Sequence, residues 1–345
     1  MEITTVGLDL AKNVFQVHGI SSTGEVVVRR ALRRAQMIPF FSKLEPCLVG
    51  LEACGTSHYW ARELTGLGHE VRLMPPAYVK PYVKRGKTDA GDAEAICEAV
   101  RRPTMRFVPV KSVDQQAALA LHRTRDLLVR QRTQLVNMIR GVLAEFGIEI
   151  PKGITYALAF VRRVVAGEAQ DIPSLAGKVI GALAEHALEG QARIRQLERE
   201  LLAWHRASEL SQRIATVPGV GLLGATALAA TVTDPAQFRS GRQFAAWLGL
   251  TPQQNCSGGK ERQGRISKMG DQYLRRLLVN GMTSLVARNV RRPDVADGRV
   301  AALLARKPLR VATVAMANHA ARAIWAIMAR GETYRAPKPF EAAAA

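Results

Sequence analysis

Two aspartates stand three residues apart in the stretch Lys87–Glu94, where the following apolar residues have helical spacing. Residues at positions i and i+3 lie on one helical face, so Asp89 and Asp92 are expected to point the same way. Carboxylates this close repel each other unless a cation lies between them, and Mg²⁺ prefers oxygen ligands of this kind. The alternative is that both acids only complement the positive end of the helix dipole. On these two residues alone the alternative is favoured.

The elements before this helix are predicted from runs of strand-forming and helical residues. Strand formers bounded by turn residues cover residues 3–9, 13–19 and 25–28. Further elements are predicted in the order 33–44 (helix), 47–51 (strand), 56–66 (helix) and 71–74 (strand), with the acidic helix ending near 102. An antiparallel meander followed by strands that alternate with helices predicts an α/β domain with a mixed sheet.

This topology would bring two further acids to the same place. Asp9 ends the first strand and Glu52 ends the fourth, so in a sheet where these strands are neighbours both carboxylates emerge at one edge. With Asp89 and Asp92 they would form a cleft of four acids, which suits a two-metal site for in-line phosphoryl displacement. Taken singly, Asp9 could be a strand-end turn residue and Glu52 a helix cap.

The middle of the chain is predicted to be helical. Residues 113–146 and about 179–214 carry apolar stripes on otherwise charged helices, separated by an irregular piece, 147–177. These features predict an antiparallel helical hairpin or coiled coil, which could be a plain bundle or an arm for dimerisation or nucleic-acid binding.

A glycine-rich turn follows in the segment 217–228. Gly219 and Gly221 precede a helix, where bare backbone N–H groups can approach a phosphate closely. The segment is typical of a helix-hairpin-helix, a non-specific DNA-backbone binder, although the same Pro-Gly-x-Gly pattern also forms ordinary helix-helix turns.

Ser257 lies in a glycine-rich basic stretch that is predicted to be a flexible cationic loop. The basic residues of this stretch and of the helix after it are candidate nucleic-acid contacts: Lys260, Arg262, Arg265, Lys268, Arg275 and Arg276. A serine hydroxyl is a weak nucleophile unless a base or nearby cations activate it. From the residues alone, a phosphate-binding loop with an incidental serine is favoured over a nucleophile.

The composition indicates a polyanionic partner. A formal net charge of +20 on 345 residues would destabilise the compact state by self-repulsion without such a partner, and nucleic acid is the leading candidate. There is no apolar run long enough to span a membrane and no signal sequence, so a cytoplasmic protein is expected. Four scattered cysteines without C-x-x-C spacing argue against a disulfide framework and a structural zinc site.

Together these motifs resemble, in order and over nearly the whole chain, the transposases of the insertion-sequence one-ten family, and most of all its eleven-eleven subgroup. The motifs are Gly7–Lys12, Gly50–Ala53, Lys87–Ala93, Pro218–Gly221, Ser257–Lys260 and Gly264–Lys268. Two positions depart from the family pattern. Gly91 stands between the last two acids, where it is expected to loosen the helix start, and Asp271 replaces an asparagine, which adds a negative charge near the basic loop.

The resemblance implies an α/β plus α architecture in four parts. These are a RuvC-like (ribonuclease-H-like) DEDD domain at 1–110, a helical coiled-coil region at 111–212, a transposase domain with helix-hairpin-helix and serine loop at 213–335, and a tail at 336–345. It also implies that Asp9, Glu52, Asp89 and Asp92 bind Mg²⁺ or Mn²⁺ and that Ser257 attacks DNA to form a covalent phosphoserine link. In this family a structured bridge RNA pairs with donor and target DNA, and a dimer or tetramer brings acids and serine together from different subunits.

Three functions remain distinguishable by experiment. The first is an RNA-guided DNA recombinase with a serine nucleophile and metal assistance. The second is a metal-dependent junction-resolving nuclease that uses only the acids and water. The third is a basic architectural or RNA-binding protein whose binding has a steep salt dependence and no strand breakage.

Overall fold

The three-dimensional structure is a computed structural model, which describes residues 2–84, 86, 88–169, 171–257, 260–292 and 298–335. For residues 255–257 and 260–263 it describes the backbone only. The chain divides into two compact units, Met1–Ser112 and Val113–Ala345. The predicted tail, 336–345, lies outside the described residues, and the predicted boundary at 212/213 falls inside a helix, Glu209–Ala215.

The first unit is built on a mixed five-stranded sheet, as predicted. Its strands are β1 (Thr5–Asp9), β2 (Val14–Ile20), β3 (Val26–Arg33), β4 (Leu48–Glu52) and β5 (Glu70–Met74). Their order across the sheet is β3-β2-β1-β4-β5. The meander β1-β2-β3 is antiparallel, whereas β4 is parallel to β1 and β5 is parallel to β4. The expected adjacency of the first and fourth strands is therefore present.

Four helices accompany this sheet: α1 (Met37–Phe41), α2 (Ser57–Gly66), α3 (Pro76–Val79) and α4 (Asp89–Val100). The predicted helix at 33–44 is wrong in its first part, because β3 keeps pairing with β2 as far as Arg33 opposite Val14. One face of the sheet packs against α2, where the ring of Phe15 meets Trp60 edge-on at 5.2 Å.

The other face packs against α4 at two paired glycines. Gly7 of β1 and Gly50 of β4 are register partners in neighbouring strands. A methyl group added at Gly7 would overlap the backbone of Ala93 and Cys97, and one added at Gly50 would lie 2.7 Å from Val100 Cβ. Helix α4 therefore packs closer to the strands at Gly7 and Gly50 than a side chain at either position would allow.

The second unit is mainly helical. Its elements are α5 (Val113–Ala144), α6 (Ile154–Val165), α7 (Ser174–Ala207), α8 (Glu209–Ala215), α9 (Leu222–Thr231), α10 (Gly241–Trp247), β6 (Pro252–Ser257), β7 (Lys260–Ile266), α11 (Gln272–Arg291), α12 (Gly298–Leu304) and α13 (Leu309–Arg330). Helices α5 and α7 pack side by side, and Arg125 Nη2 lies 2.6 Å from Glu198 Oε1 between them.

Two predictions for this unit are wrong in detail. The piece 147–177, predicted to be irregular, contains α6, because Val161 and its neighbours bury an apolar face against Ile139, Leu143 and Ile180. The predicted single helix at about 179–214 is interrupted at Ser208, whose hydroxyl accepts a hydrogen bond from Ser211 N and begins α8. No helix among the described residues is both long and apolar enough to cross a membrane.

Replacement of Gly7 by alanine is expected to destabilise the first unit, because the new Cβ would force α4 away from β1. Overpacking of this kind costs about 1–3 kcal/mol or more. Denaturant or thermal unfolding of the full chain measures it. The matched control is Gly66→Ala in α2, where an added Cβ meets nothing within 4 Å and helix propensity predicts a gain of up to about 1 kcal/mol. Equal unfolding midpoints for the two variants would contradict the proposed contact.

Candidate metal centre and serine hairpin

Asp9 and Glu52 end neighbouring parallel strands at the same edge of the sheet. Leu8 and Leu51 are register partners, so the two acids that follow them lie side by side. Alternate residues of a strand face the same side, and therefore Asp9 shares the face of Gly7 while Glu52 shares that of Gly50. Both carboxylates point to the side of the sheet on which α4 packs.

Helix α4 adds two acids from its first turn. Thr88 caps the helix, since its hydroxyl accepts a hydrogen bond from Gly91 N at 3.1 Å. One carboxylate oxygen from each of Asp9, Asp89 and Asp92 lies within 4.8 Å of the others. Gly91 lies in the first turn of this capped helix, and its expected effect on the stability of the helix start stays a prediction.

Glu52 lies outside this group of three but responds to its charge. Burial raises the pKa of the Glu52 carboxyl, and the negative charges of Asp9 and Asp92 raise it further. Burial and the charges of Glu52 and Asp9 likewise raise the pKa of the Cys54 thiol. All four acids predicted from the sequence therefore share one electrostatic environment.

This donor set fits a hard divalent cation. The converging groups are carboxylate oxygens, which Mg²⁺ and Mn²⁺ prefer. Among the described side chains, no basic group forms an ion pair with Asp89 or Asp92. The mutual repulsion that raises the pKa of Glu52 would be relieved by a bound cation.

Glu52→Gln is expected to stabilise the metal-free protein at about pH 7.5, with a gain that shrinks as the pH falls. Because the folded-state pKa of Glu52 is raised, the wild-type side chain loses stability as the pH rises through that value, and glutamine does not. Thermal unfolding in EDTA across a pH series measures the effect, with the exposed Glu45→Gln as control. A gain that is independent of pH, or a loss at neutral pH, would contradict the assigned environment.

Ser257 ends a strand of a β-hairpin in the second unit. The predicted flexible loop is wrong here, because β6 and β7 pair antiparallel and Ser257 is the register partner of Lys260. The many glycines and charged residues of this stretch are typical of a loop, so its sequence does not indicate the two strands. Their formation depends on hydrogen bonds between β6 and β7. The side chains of Ser257, Lys260 and Arg262 lie outside the described residues, whereas Arg265 and Lys268 are exposed.

The base of the hairpin is a close crossing of two backbone segments. Gly249 and Gly270 have φ angles of +70° and +79°, and a Cβ on either would overlap the other segment, at Met269 or at Trp247. Lys268 N donates to Gly249 O at 3.1 Å, and Ser267 N donates to Thr251 O at 2.8 Å. The close crossing and these two hydrogen bonds therefore anchor the hairpin at its base.

Arg275 and Arg276, predicted as nucleic-acid contacts, also have partners within the unit. The guanidinium of Arg275 donates to Leu248 O and to Met269 O, each at 3.0 Å, and so ties both segments at the base of the hairpin to α11. Arg276 forms an ion pair with Asp126. Their role toward nucleic acid stays a prediction.

Asp271 caps α11 rather than standing free near the hairpin. Its Oδ1 accepts a hydrogen bond from Leu274 N at 3.0 Å, a role that asparagine can also fill. The departure from the family pattern is therefore compatible with the same helix start.

The predicted helix-hairpin-helix segment forms two short helices, α8 and α9, joined by a glycine-rich turn. Gly219 has φ +82°, a conformation that favours glycine, and its carbonyl oxygen would lie 2.0 Å from a Cβ added at Gly281, so the turn packs closely against the backbone of α11. Gly221 precedes α9, and an added Cβ would meet nothing within 4 Å. Gly221 thus has open space beside it, and phosphate binding at this turn stays a prediction.

A buried histidine, which no sequence pattern indicated, joins three helices. His122 lies 2.9 Å from the Tyr273 hydroxyl and 3.0 Å from Thr226 Oγ1, which links α5 to α11 and α9. Burial lowers the pKa of His122 to about 4, so the ring is neutral at physiological pH. The Thr226 hydroxyl donates to Leu222 O and therefore accepts from His122 Nε2, which leaves Nδ1 to accept from Tyr273. A lone histidine in a long amphipathic helix carries no local signal of this network.

Comparisons with known proteins assign the chain to a family. Residues 6–148 match a transposase family defined by its DEDD domain, and residues 211–295 match the family described as "Transposase IS116/IS110/IS902 family". The chain is 49% identical to the "Probable family 20 transposase" of Pseudomonas aeruginosa, over 97% of this chain and 99% of that protein. It is 40% identical to the "Transposase for insertion sequence element IS1111A" of Coxiella burnetii, over 97% and 92% of the two chains.

A third relative is the "Transposase for insertion sequence element IS1328" of Yersinia enterocolitica, which is 38% identical over 96% of this chain and 98% of that protein. These relatives match almost end to end, and their similarity extends through both the acid-bearing unit and the serine hairpin. The chain therefore belongs to the IS110/IS116 family of insertion-sequence transposases, whose members cut and transfer DNA.

Proposed function

We propose that this transposase is an RNA-guided DNA recombinase that cuts and rejoins strands through a covalent serine–DNA intermediate with Mg²⁺ assistance. The observation that carries the metal half of the proposal is the convergence of Asp9, Asp89 and Asp92 at the edge of the sheet. The family membership and the position of Ser257 at the end of a β-hairpin strand support the covalent half.

In this proposal the acids belong to a RuvC-like domain and hold the cation. Asp9 and Glu52 are fixed by the sheet, whereas Asp89 and Asp92 are fixed by the capped start of α4. When bound, Mg²⁺ or Mn²⁺ would supply positive charge beside the phosphate that reacts. The rigid sheet and helix keep the carboxylates in place before substrate binds, which is the condition for electrostatic stabilisation of a transition state.

Ser257 is the proposed nucleophile. Its hydroxyl oxygen forms a bond to phosphorus while the bond from phosphorus to the leaving strand's oxygen breaks, and the serine proton ends on that departing oxygen. The phosphodiester energy is retained in the serine link, so rejoining needs no external energy source. The basic residues of the hairpin, Lys260, Arg262, Arg265 and Lys268, would neutralise the phosphate backbone around it.

The guide and the assembly are part of the same proposal. The net charge of +20 favours binding of several polyanions, and bridge RNA together with donor and target DNA would be such partners. The acids lie in Met1–Ser112 and the serine hairpin in Val113–Ala345, so a dimer or tetramer could combine the acids of one subunit with the serine of another. The turn at Gly219 and Gly221 would contact DNA backbone as a helix-hairpin-helix.

Ser257→Ala is expected to abolish the covalent protein–DNA adduct, because no other oxygen would occupy the nucleophile's place. A nicked suicide substrate supplied with the element's own flanking RNA would trap the adduct, which denaturing electrophoresis would detect. Ser284→Ala is the matched control, since Ser284 is exposed on α11 and its hydroxyl donates to Asn280 O. Normal recombination by Ser257→Ala would exclude the serine role.

The same experiment separates the nuclease alternative. A nuclease that uses water would release DNA ends with no protein attached, and its activity would survive loss of Ser257 but not Asp89→Asn.

Mn²⁺ is expected to raise the unfolding temperature of the wild-type protein, because a ligand at 100 times its dissociation constant stabilises by about 2.7 kcal/mol. Asp89→Asn should remove most of this shift, since it deletes one of the three converging carboxylates. Glu98→Gln on the same helix is the control, because Glu98 pairs with Arg102. A full Mn²⁺ shift in Asp89→Asn would place the metal elsewhere.

A further inference from the structure

A polar groove of about 820 Å³ lies at the base of the serine hairpin, within the second unit. Two arginines, an asparagine, a serine and two glutamines line it: Arg242, Arg322, Asn318, Ser267, Gln253 and Gln254. These residues come from α10, α13 and the first residues of β6, together with the segment that follows β7. The groove therefore adjoins the strand that ends at Ser257.

Close packing of α10 on α13 brings the two arginines together. A Cβ added at Gly241 would lie 3.0 Å from Arg322 O and 3.1 Å from Arg322 Cα, so the start of α10 touches the backbone of α13. Arg242 follows directly. Asn318, one turn before Arg322, donates from Nδ2 to Leu250 O at 3.1 Å and joins α13 to the segment that enters β6.

The charge of the groove is uncompensated among the described residues. Several arginines of this unit have acidic partners, including Arg125 with Glu198 and Arg276 with Asp126. Arg242 and Arg322 are exposed, and no described carboxylate forms an ion pair with either. No acidic side chain that the structure describes lines the groove. Two such guanidinium groups can bind phosphates, and the neutral amides and hydroxyls beside them can form hydrogen bonds with base edges.

We propose that this groove binds the backbone of an unpaired DNA strand where it approaches the serine hairpin, with Arg242 and Arg322 on its phosphates. The inference rests on the proposed function, because that function places DNA at Ser257. Gln254 is three residues before Ser257 on β6, about 10 Å along an extended strand. The groove volume lies within the range of about 300–1,000 Å³ typical of small-ligand sites, which admits one or two nucleotides rather than a duplex.

The test uses the full chain and a fluorescein-labelled single-stranded DNA oligonucleotide in a salt titration. Arg242→Gln with Arg322→Gln should weaken binding about 10-fold or more at low salt and reduce the slope of log K against log salt by about 1.4, or about 0.7 for each phosphate that is no longer neutralised. Arg310→Gln, an exposed arginine on the same helix α13, should leave both the affinity and the slope near wild type.

Three outcomes would overturn the proposal. The first is a double variant with wild-type affinity and slope, and the second is a loss matched by Arg310→Gln. The third is a loss toward a single-stranded RNA of the same sequence with unchanged binding of the DNA, which would assign the groove to RNA. Both arginines are exposed, so unchanged thermal unfolding is expected to accompany the loss of binding.

The binding measurement does not need strand cleavage, so it separates this proposal from the proposed function. Loss of DNA binding in the double variant, together with normal recombination by Ser257→Ala, would support the groove and reject the serine mechanism. Loss of the adduct in Ser257→Ala, together with unchanged DNA binding by the double variant, would support the serine mechanism and reject the groove.

Discussion

The close packing of α4 on the paired glycines Gly7 and Gly50 determines the geometry of the acid-bearing unit. Any side chain at Gly7 would overlap the backbone of α4. Because the helix lies this close, its first turn reaches the end of β1, where Asp9 stands. The parallel register of β1 and β4 then places Glu52 beside Asp9. The acid cluster is therefore positioned by the packing of α4 on the sheet and by strand register.

Such an arrangement opposes the stability of the metal-free protein. Burial raises the pKa of Glu52, and the negative charges of Asp9 and Asp92 raise it further, so the ionised form of Glu52 is disfavoured in the fold. A protein of net charge +20 nevertheless concentrates acids at one edge of one sheet. A site that costs stability without its ligand is typical of function, because a bound cation converts the repulsion into affinity.

Polar side chains of the second unit have two roles: some stabilise the fold, and others are free to contact a ligand. Arg275 secures the base of the serine hairpin through two backbone carbonyls, and the neutral His122 fixes the start of α11 through Tyr273. Arg242 and Arg322 instead remain exposed in the adjoining groove. The hydrogen bonds at the base of the hairpin would keep the strand that carries Ser257 in place while the exposed arginines of the groove bind a polyanion.

The mixed sheet, its meander and the grouping of the four acids could be predicted from the sequence, because strand and helix periodicity are local signals and each acid lies at the end or the start of a recognisable element. The close approach of α4 at Gly7 and Gly50, which are two residues before Asp9 and Glu52, was not predicted and is seen only in the structure. The motif order was sufficient to indicate the family. These properties depend on neighbours within a few residues or on patterns that evolution repeats as a set.

The features that join distant segments could not be predicted from the sequence and depend on tertiary packing. The hairpin at Ser257 depends on pairing between β6 and β7, and the helix α6 is stabilised by an apolar face buried against α5 and α7. Other contacts join residues that are tens to more than a hundred positions apart. Examples are the hydrogen bonds of Arg275 and His122 and the groove shared by Arg242 and Arg322. Packing partners at such separations leave no periodic trace in the sequence, because the contact is selected by the fold as a whole.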